Sequence, residues 1–306
     1  MFLSGCSNLS DADRASTIFP GAHEFGATAI AFSPDSRLLA SGGYQGDLRL
    51  WDIQKKSSVA EIPAHDGTVR ALIFLSNKTF ASATDTGRLT LWDGTQMKAA
   101  QALSPITSLA LMQDRLVSGH SDGWLRMWDN KLHQKASIKL DQGVIALSAH
   151  QERLAVGLDG KILILDSSLK TLGILDTGGN RPHDLQFSPD GNTLAAGNWF
   201  NLSIWDLATG EHQIHATEHR GLLASVAYSP DGRHIVSIGR DTDSAIRIVD
   251  TVHYKVERRY QAHARCGAMI RYSPDGRWIA SASDDESVRL YDLSLVYSPR
   301  SFAAAH

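Results

Sequence analysis

Seven aspartates recur along this chain at nearly even intervals: Asp52, Asp93, Asp129, Asp166, Asp206, Asp250 and Asp292. The gaps between them are 41, 36, 37, 40, 44 and 42 residues. A repeat of this length constrains the fold more than composition can, because each unit must bury its apolar surface against the next. The clearest unit, residues 272–293, reads YSPDGRWIASASDDESVRLYDL and parses as three short strands separated by two tight turns. In Ser273-Pro274-Asp275-Gly276 the proline presets φ and the glycine tolerates positive φ, so the turn has a mechanism. Residues 278–282 are a short run of apolar and small side chains, and residues 287–291 alternate before Asp292.

The residues before the closing aspartates are Trp51, Trp92, Trp128, Leu165, Trp205, Val249 and Tyr291. Four Trp-Asp pairs in register within seven repeats resemble the WD-repeat (WD40) β-propeller family, over about residues 15–293. The resemblance implies an all-β fold: a single seven-bladed β-propeller of four-stranded antiparallel blades. The chain ends fit such a ring. Residues 15–23, ASTIFPGAH, resemble residues 58–65, SVAEIPAH, which read as the fourth strand of the first full repeat and the loop after it. The last repeat, from Cys266, has three strands and no clear fourth. Residues 15–19 are therefore expected to pair with the third strand near residues 287–291, closing the ring without an open edge. The domain organisation is then a tether or signal-peptide remnant at 1–14, the propeller at 15–297 and a tail at 298–306.

A length of 306 residues alone suggests about two domains, and the repeat overrides that prior. A formal net charge of -3 lacks the basic excess of a general nucleic-acid surface, so no nucleic-acid partner is expected. Cys6 and Cys266 make neither a disulfide framework nor a zinc spacing. There is no glycine-rich phosphate loop, no H-E-x-x-H spacing and no run of 18 apolar residues. His183-Asp184 has no serine nucleophile on a strand-to-helix elbow beside it. The regular recurrence of the closing aspartates reads as turn chemistry. No catalytic residue, metal or cofactor is expected.

The family resemblance also implies a buried polar network in each blade. A His before the first strand, a Ser or Thr on the second, an Asp in the next turn and the Trp of the third are linked. Blade 1 offers His23, Ser41 and Trp51, with Gln45 at the Asp position. Blade 2 offers His65, Ser82 and Trp92, with Thr86 for Asp. Blade 3 has Ser118, Asp122 and Trp128 without the His. Blade 6 offers His219, Ser237 and Asp243, with Val249 for Trp. Blade 7 offers His263, Ser281 and Asp285, with Tyr291 for Trp. On this mapping no blade carries the full set.

The resemblance implies a non-catalytic platform that binds another protein or a peptide. Two alternatives stand beside it: a propeller that binds a small ligand or supports chemistry in its central channel, and a structural subunit of an envelope or cytosolic assembly. The channel mouth is expected to present Thr28, Arg70, Thr107, Ile145, His183, Ala224 and Ala268, a mostly uncharged ring. The docking face is expected to carry the loops between second and third strands and those leading into first strands. Its candidate residues are Tyr44, Arg70, His120, His183, Trp199, Phe200 and Arg240. Trp199 has two readings: exposed beside Phe200, or folded inward where blade 5 lacks the network Asp. Finally, Leu3-Ser4-Gly5-Cys6 resembles the bacterial lipobox. Either it is a coincidence and the protein is cytoplasmic, or the start is assigned too late and Cys6 carries a lipid on an envelope protein.

Overall fold

A unit of four short strands joined by tight turns has two apolar faces and no partner of its own for either. Stacking such units side by side buries both, which is why the second strands read as unbroken runs such as LLASGG and WIASAS. The computed structural model describes residues 17–62, 66–94, 97–240, 243–260 and 262–296. Among these residues there are seven four-stranded antiparallel sheets. Blade 1 comprises Ala27–Phe32, Leu38–Gly43, Leu48–Asp52 and Ser57–Ile62, in that order across the sheet. Blades 2 to 6 follow at 69–101, 106–139, 146–176, 184–216 and 223–260. First strands of successive blades contact one another in a closed circle.

The ring closes as the chain ends suggested. Blade 7 comprises Gly267–Tyr272, Trp278–Ser283 and Val288–Asp292, and its fourth strand is Thr17–Phe19. Thr17 pairs with Leu290, Ile18 with Arg289 and Phe19 with Val288. The closing strand also grips the next blade, because Phe19 is buried and stacks on Trp51 with ring centroids 4.3 Å apart. Around them Ile30, Leu39, Ile53, Trp278 and Leu290 form one apolar cluster shared by blades 7 and 1.

The inner edge of each blade exposes backbone amides that no strand pairs, and buried amides need acceptors. Side chains of the preceding blade supply them at five of the joints. Ser108 Oγ accepts from Leu147 N at 3.1 Å, Ser148 Oγ from Phe187 N at 3.0 Å and Asp184 Oδ2 from Val226 N at 3.1 Å. Ser225 Oγ accepts from Ile270 N at 3.2 Å, and Met269 Sδ from Ile30 N at 3.4 Å. At the joint between blades 1 and 2 the hydroxyl of Thr28 instead donates to Val69 O at 2.6 Å.

The turns behave as their residues dictate. In the four Ser-Pro-Asp turns the hydroxyls of Ser33, Ser188, Ser229 and Ser273 donate to the carboxylate two residues on. The closing aspartates Asp52, Asp129, Asp166, Asp206, Asp250 and Asp292 accept backbone amides of the turn that follows.

Removing residues 1–20 should lower the melting temperature and promote aggregation, since it deletes a ladder and bares an edge. Phe19→Ala alone should cost about 3 kcal/mol or more in denaturant unfolding, the usual loss for a buried phenylalanine.

Candidate functional site

Blade 1 carries the complete polar network, which corrects the sequence expectation. Its carboxylate comes from Asp47 and not from position 45. His23 Nδ1 lies 2.5 Å from Asp47 Oδ2, His23 Nε2 lies 2.7 Å from Ser41 Oγ, and Trp51 Nε1 donates to the same hydroxyl at 2.8 Å. In blade 7, His263 bridges Asp285 at 2.9 Å and Ser281 at 2.7 Å, and the Tyr291 hydroxyl bonds Ser281. In blade 6, His219 meets Ser237 at 3.0 Å, and Asp243 is paired with Arg247 at 2.9 Å. Ser82 of blade 2 is buried and Trp92 partly so; His65 lies outside the described residues.

His120 does not belong to the docking face. It is fully buried, and its Nε2 lies 2.9 Å from Ser118 Oγ, which also accepts from Trp128 Nε1 at 2.9 Å. It replaces the missing His of blade 3 from the end of the second strand, while small Ser104 occupies the loop. The exchange is steric. In blade 1 that strand position is Gly43, where a Cβ would fall 2.6 Å from Asp47 Oδ1 and 2.7 Å from His23; in blade 6 it is Gly239, where a Cβ would meet the Asp243 carbonyl first and then His219 at 2.8 Å. Each such site has room for one imidazole.

All seven residues expected at the channel mouth line one cavity of about 310 Å³, together with Tyr44 and Arg240. Arg70 is half exposed and pairs with Asp85 at 3.2 Å. Below the mouth lies an ion pair that sequence reasoning missed. Arg271 of blade 7 reaches Asp184 of blade 5 at 2.9 Å, and Ser225 of blade 6 donates to the same carboxylate at 2.7 Å. A signal existed. Among the first strands only Arg70, Asp184 and Arg271 carry a formal charge.

On the loop face, Tyr44 Oη donates to Asp284 at 3.1 Å and Arg240 pairs with the same carboxylate at 3.2 Å. Blades 1, 6 and 7 are thus tied together beside the channel. Trp199 and Phe200 are exposed, at 52% and 50%, so the inward reading of Trp199 does not hold. Their rings lie 5.9 Å apart. The hairpin is held from below: Trp199 forms an isolated bridge with Leu222, Phe200 N donates to Gly221 O, and Arg240 N donates to Leu222 O. Two more exposed apolar side chains sit in loops leading into first strands, Phe25 and Leu103, which sequence reasoning passed over. Cys6 lies outside the described residues. Among the described residues, no cluster of His, Cys, Asp and Glu could hold a metal, and no helix is long and apolar enough to cross a membrane.

The buried network predicts a pH dependence. Burial pushes His120 down to about 4 and also lowers His219 and His263. Their folded values lie below the ordinary 6.5, so the unfolded chain takes up protons first. Stability is therefore full above about pH 6.5 and falls as the pH drops towards 4. His120→Asn should flatten that decline by up to about 3 kcal/mol in denaturant unfolding measured at several pH values. In the channel, Arg271→Ala strands the Asp184 carboxylate and should cost about 3 kcal/mol, whereas Arg271→Met with Asp184→Asn should cost less.

The family model described as WD domain, G-beta repeat matches residues 16–52, 56–93 and 255–292. Among curated relatives, Periodic tryptophan protein 2 of Arabidopsis thaliana is 23% identical over 78% of this chain and 24% of its own length. The guanine nucleotide-binding protein subunit beta of Saccharomyces cerevisiae is 26% identical over 72% of this chain and 55% of its own length. Autophagy-related protein 16 of Arabidopsis thaliana is 23% identical over 72% of this chain and 38% of its own length. The chain thus spans between about a quarter and just over half of these relatives. Each family match covers the fourth strand of one blade and the first three of the next, in register with the structure. Three stretches of this chain match WD repeats, and the chain folds as a seven-bladed β-propeller.

Proposed function

We propose that the protein is a non-catalytic platform that docks another protein or a peptide on its loop face. The observation that carries this reading is the Trp199–Phe200 pair, two large aromatic rings half exposed on a backbone pinned by Gly221 and Leu222. Phe200 sits at a φ of 66°, a left-handed conformation that is costly for a bulky residue. A rigid hairpin presenting aromatic anchors loses little entropy on binding, and aromatic and Arg residues dominate interface energy. Tyr44, Arg240, Arg70 and His183 supply polar contacts around the channel mouth. The yeast relative is by its name a subunit of a larger protein, which agrees with a role in holding other chains.

Chemistry in the channel has less support. The charged groups below the mouth, Asp184 and Arg271, are engaged with each other and with Ser225. The test is a pull-down from the native organism with wild type and with Trp199→Ala, Phe200→Ala, Tyr44→Ala and Arg240→Ala. The aromatic variants should lose the same partner while melting normally, each weakening binding by about 2 kcal/mol or roughly thirtyfold. Retention of the partner by all four, with its loss on changes to the Ser-Pro-Asp turns, would move the docking site to the opposite face.

A further inference from the structure

The outermost strand of every blade ends its sheet, and an open strand edge invites pairing unless it is blunted by charge, a bulge or shortness. Six of the seven outer strands are blunted. Ser57–Ile62 has Glu61 and a register shift, and Gln134–Lys139 has Lys135, Lys139 and a shift. Thr171–Asp176 has Asp176 and a shift, and Val256–Tyr260 has three charged residues and a shift. Met97–Gln101 carries Lys98, and Thr17–Phe19 has three residues. The exception is the outer strand of blade 5, His212–Ala216, sequence HQIHA. It contains no Lys, Arg, Asp or Glu, and its ladder runs from Asn201↔Ala216 to Trp205↔His212 without a shift.

We propose that this strand is the pairing edge of a two-fold homodimer, in which a second copy adds the same strand antiparallel to it. The register follows from the hydrogen-bond phase. Asp206 N donates to Glu211 O, so the next pair, Trp205↔His212, turns its backbone groups away. By the same alternation His212, Ile214 and Ala216 present their amides and carbonyls to the open side. A two-fold axis through Ile214 sets each outward residue against another outward residue: Ile214 against Ile214, and His212 against Ala216. No like charges meet. Ile214, 55% exposed in the monomer, is covered by its symmetry mate. Gln213 falls opposite His215 of the second copy. Among the described residues the His215 Nε2 is buried without a hydrogen-bond partner, its ring stacked on Tyr254 at 3.8 Å. The exposed Gln213 carboxamide, whose Nε2 donates to Glu211 Oε1 at 3.0 Å, offers its oxygen as the acceptor that reaches it. The pairing is isologous, so it closes at two copies.

One strand pair buries less than a standard interface of about 1,200–2,000 Å², so the dimer is weak and concentration-dependent. Sedimentation equilibrium of the full chain from about 1 µM to about 500 µM should give a reversible monomer–dimer curve. Ile214→Lys, at an exposed position, should keep the melting temperature and weaken the dimer at least tenfold. Val59→Lys, at an equally exposed position on the outer strand of blade 1, should leave it unchanged. A monomer across the whole range, or a dimer indifferent to Ile214→Lys, would overturn the proposal.

Discussion

The inner edge of each blade sets the terms for the rest of the ring. First strands stand side by side around a narrow channel, and their outward amides have no ladder partner within the blade. The preceding blade supplies acceptors from Ser108, Ser148, Asp184, Ser225 and Met269. These contacts fix the angular step from blade to blade at the innermost radius of the ring. Farther out, Leu39, Phe80, Leu154, Leu194 and Ile279 fill the widening gaps. The Asp184–Arg271 pair belongs to the same layer, with Ser225 between its members, so it ties three blades at once. Hydrophobic burial supplies most of the driving force, and the polar rungs decide where each blade sits.

The sequence made the blade count and the ring closure legible because both follow from a period. Seven closing aspartates and an orphan fourth strand leave few other arrangements. Network membership was harder to read, because it depends on space. Asp47 and Asp285 lie on opposite sides of equivalent hairpins, yet both reach the imidazole from the loop before the first strand. His120 enters from the strand instead, and a pattern fixed to repeat positions assigns it to the surface. The trade between Gly43 with His23 and His120 with Ser104 becomes visible only when the two positions are seen to share one volume.

The loop face was legible in part. Trp199 and Phe200 stood out because aromatic residues replaced small or acidic ones in a hairpin. Their exposure depends on Leu222 and Gly221, which belong to the next blade. Tyr44 and Arg240 come from distant repeats, and only the circular order of the blades brings them to the single carboxylate of Asp284.

Closing the ring with Thr17–Phe19 also has a kinetic side. Thr17–Phe19 is made long before its partner in Val288–Asp292. The equilibrium cost of so long a loop is modest, since closure entropy grows only with the logarithm of length. The waiting time is another matter, because contacts so distant in sequence form slowly. Until Val288–Asp292 is made, Phe19 has no ladder to hold it against Trp51 of blade 1. The nascent chain is then an open arc with two unsatisfied ends, and what it meets during that interval decides whether it becomes a ring or joins another arc.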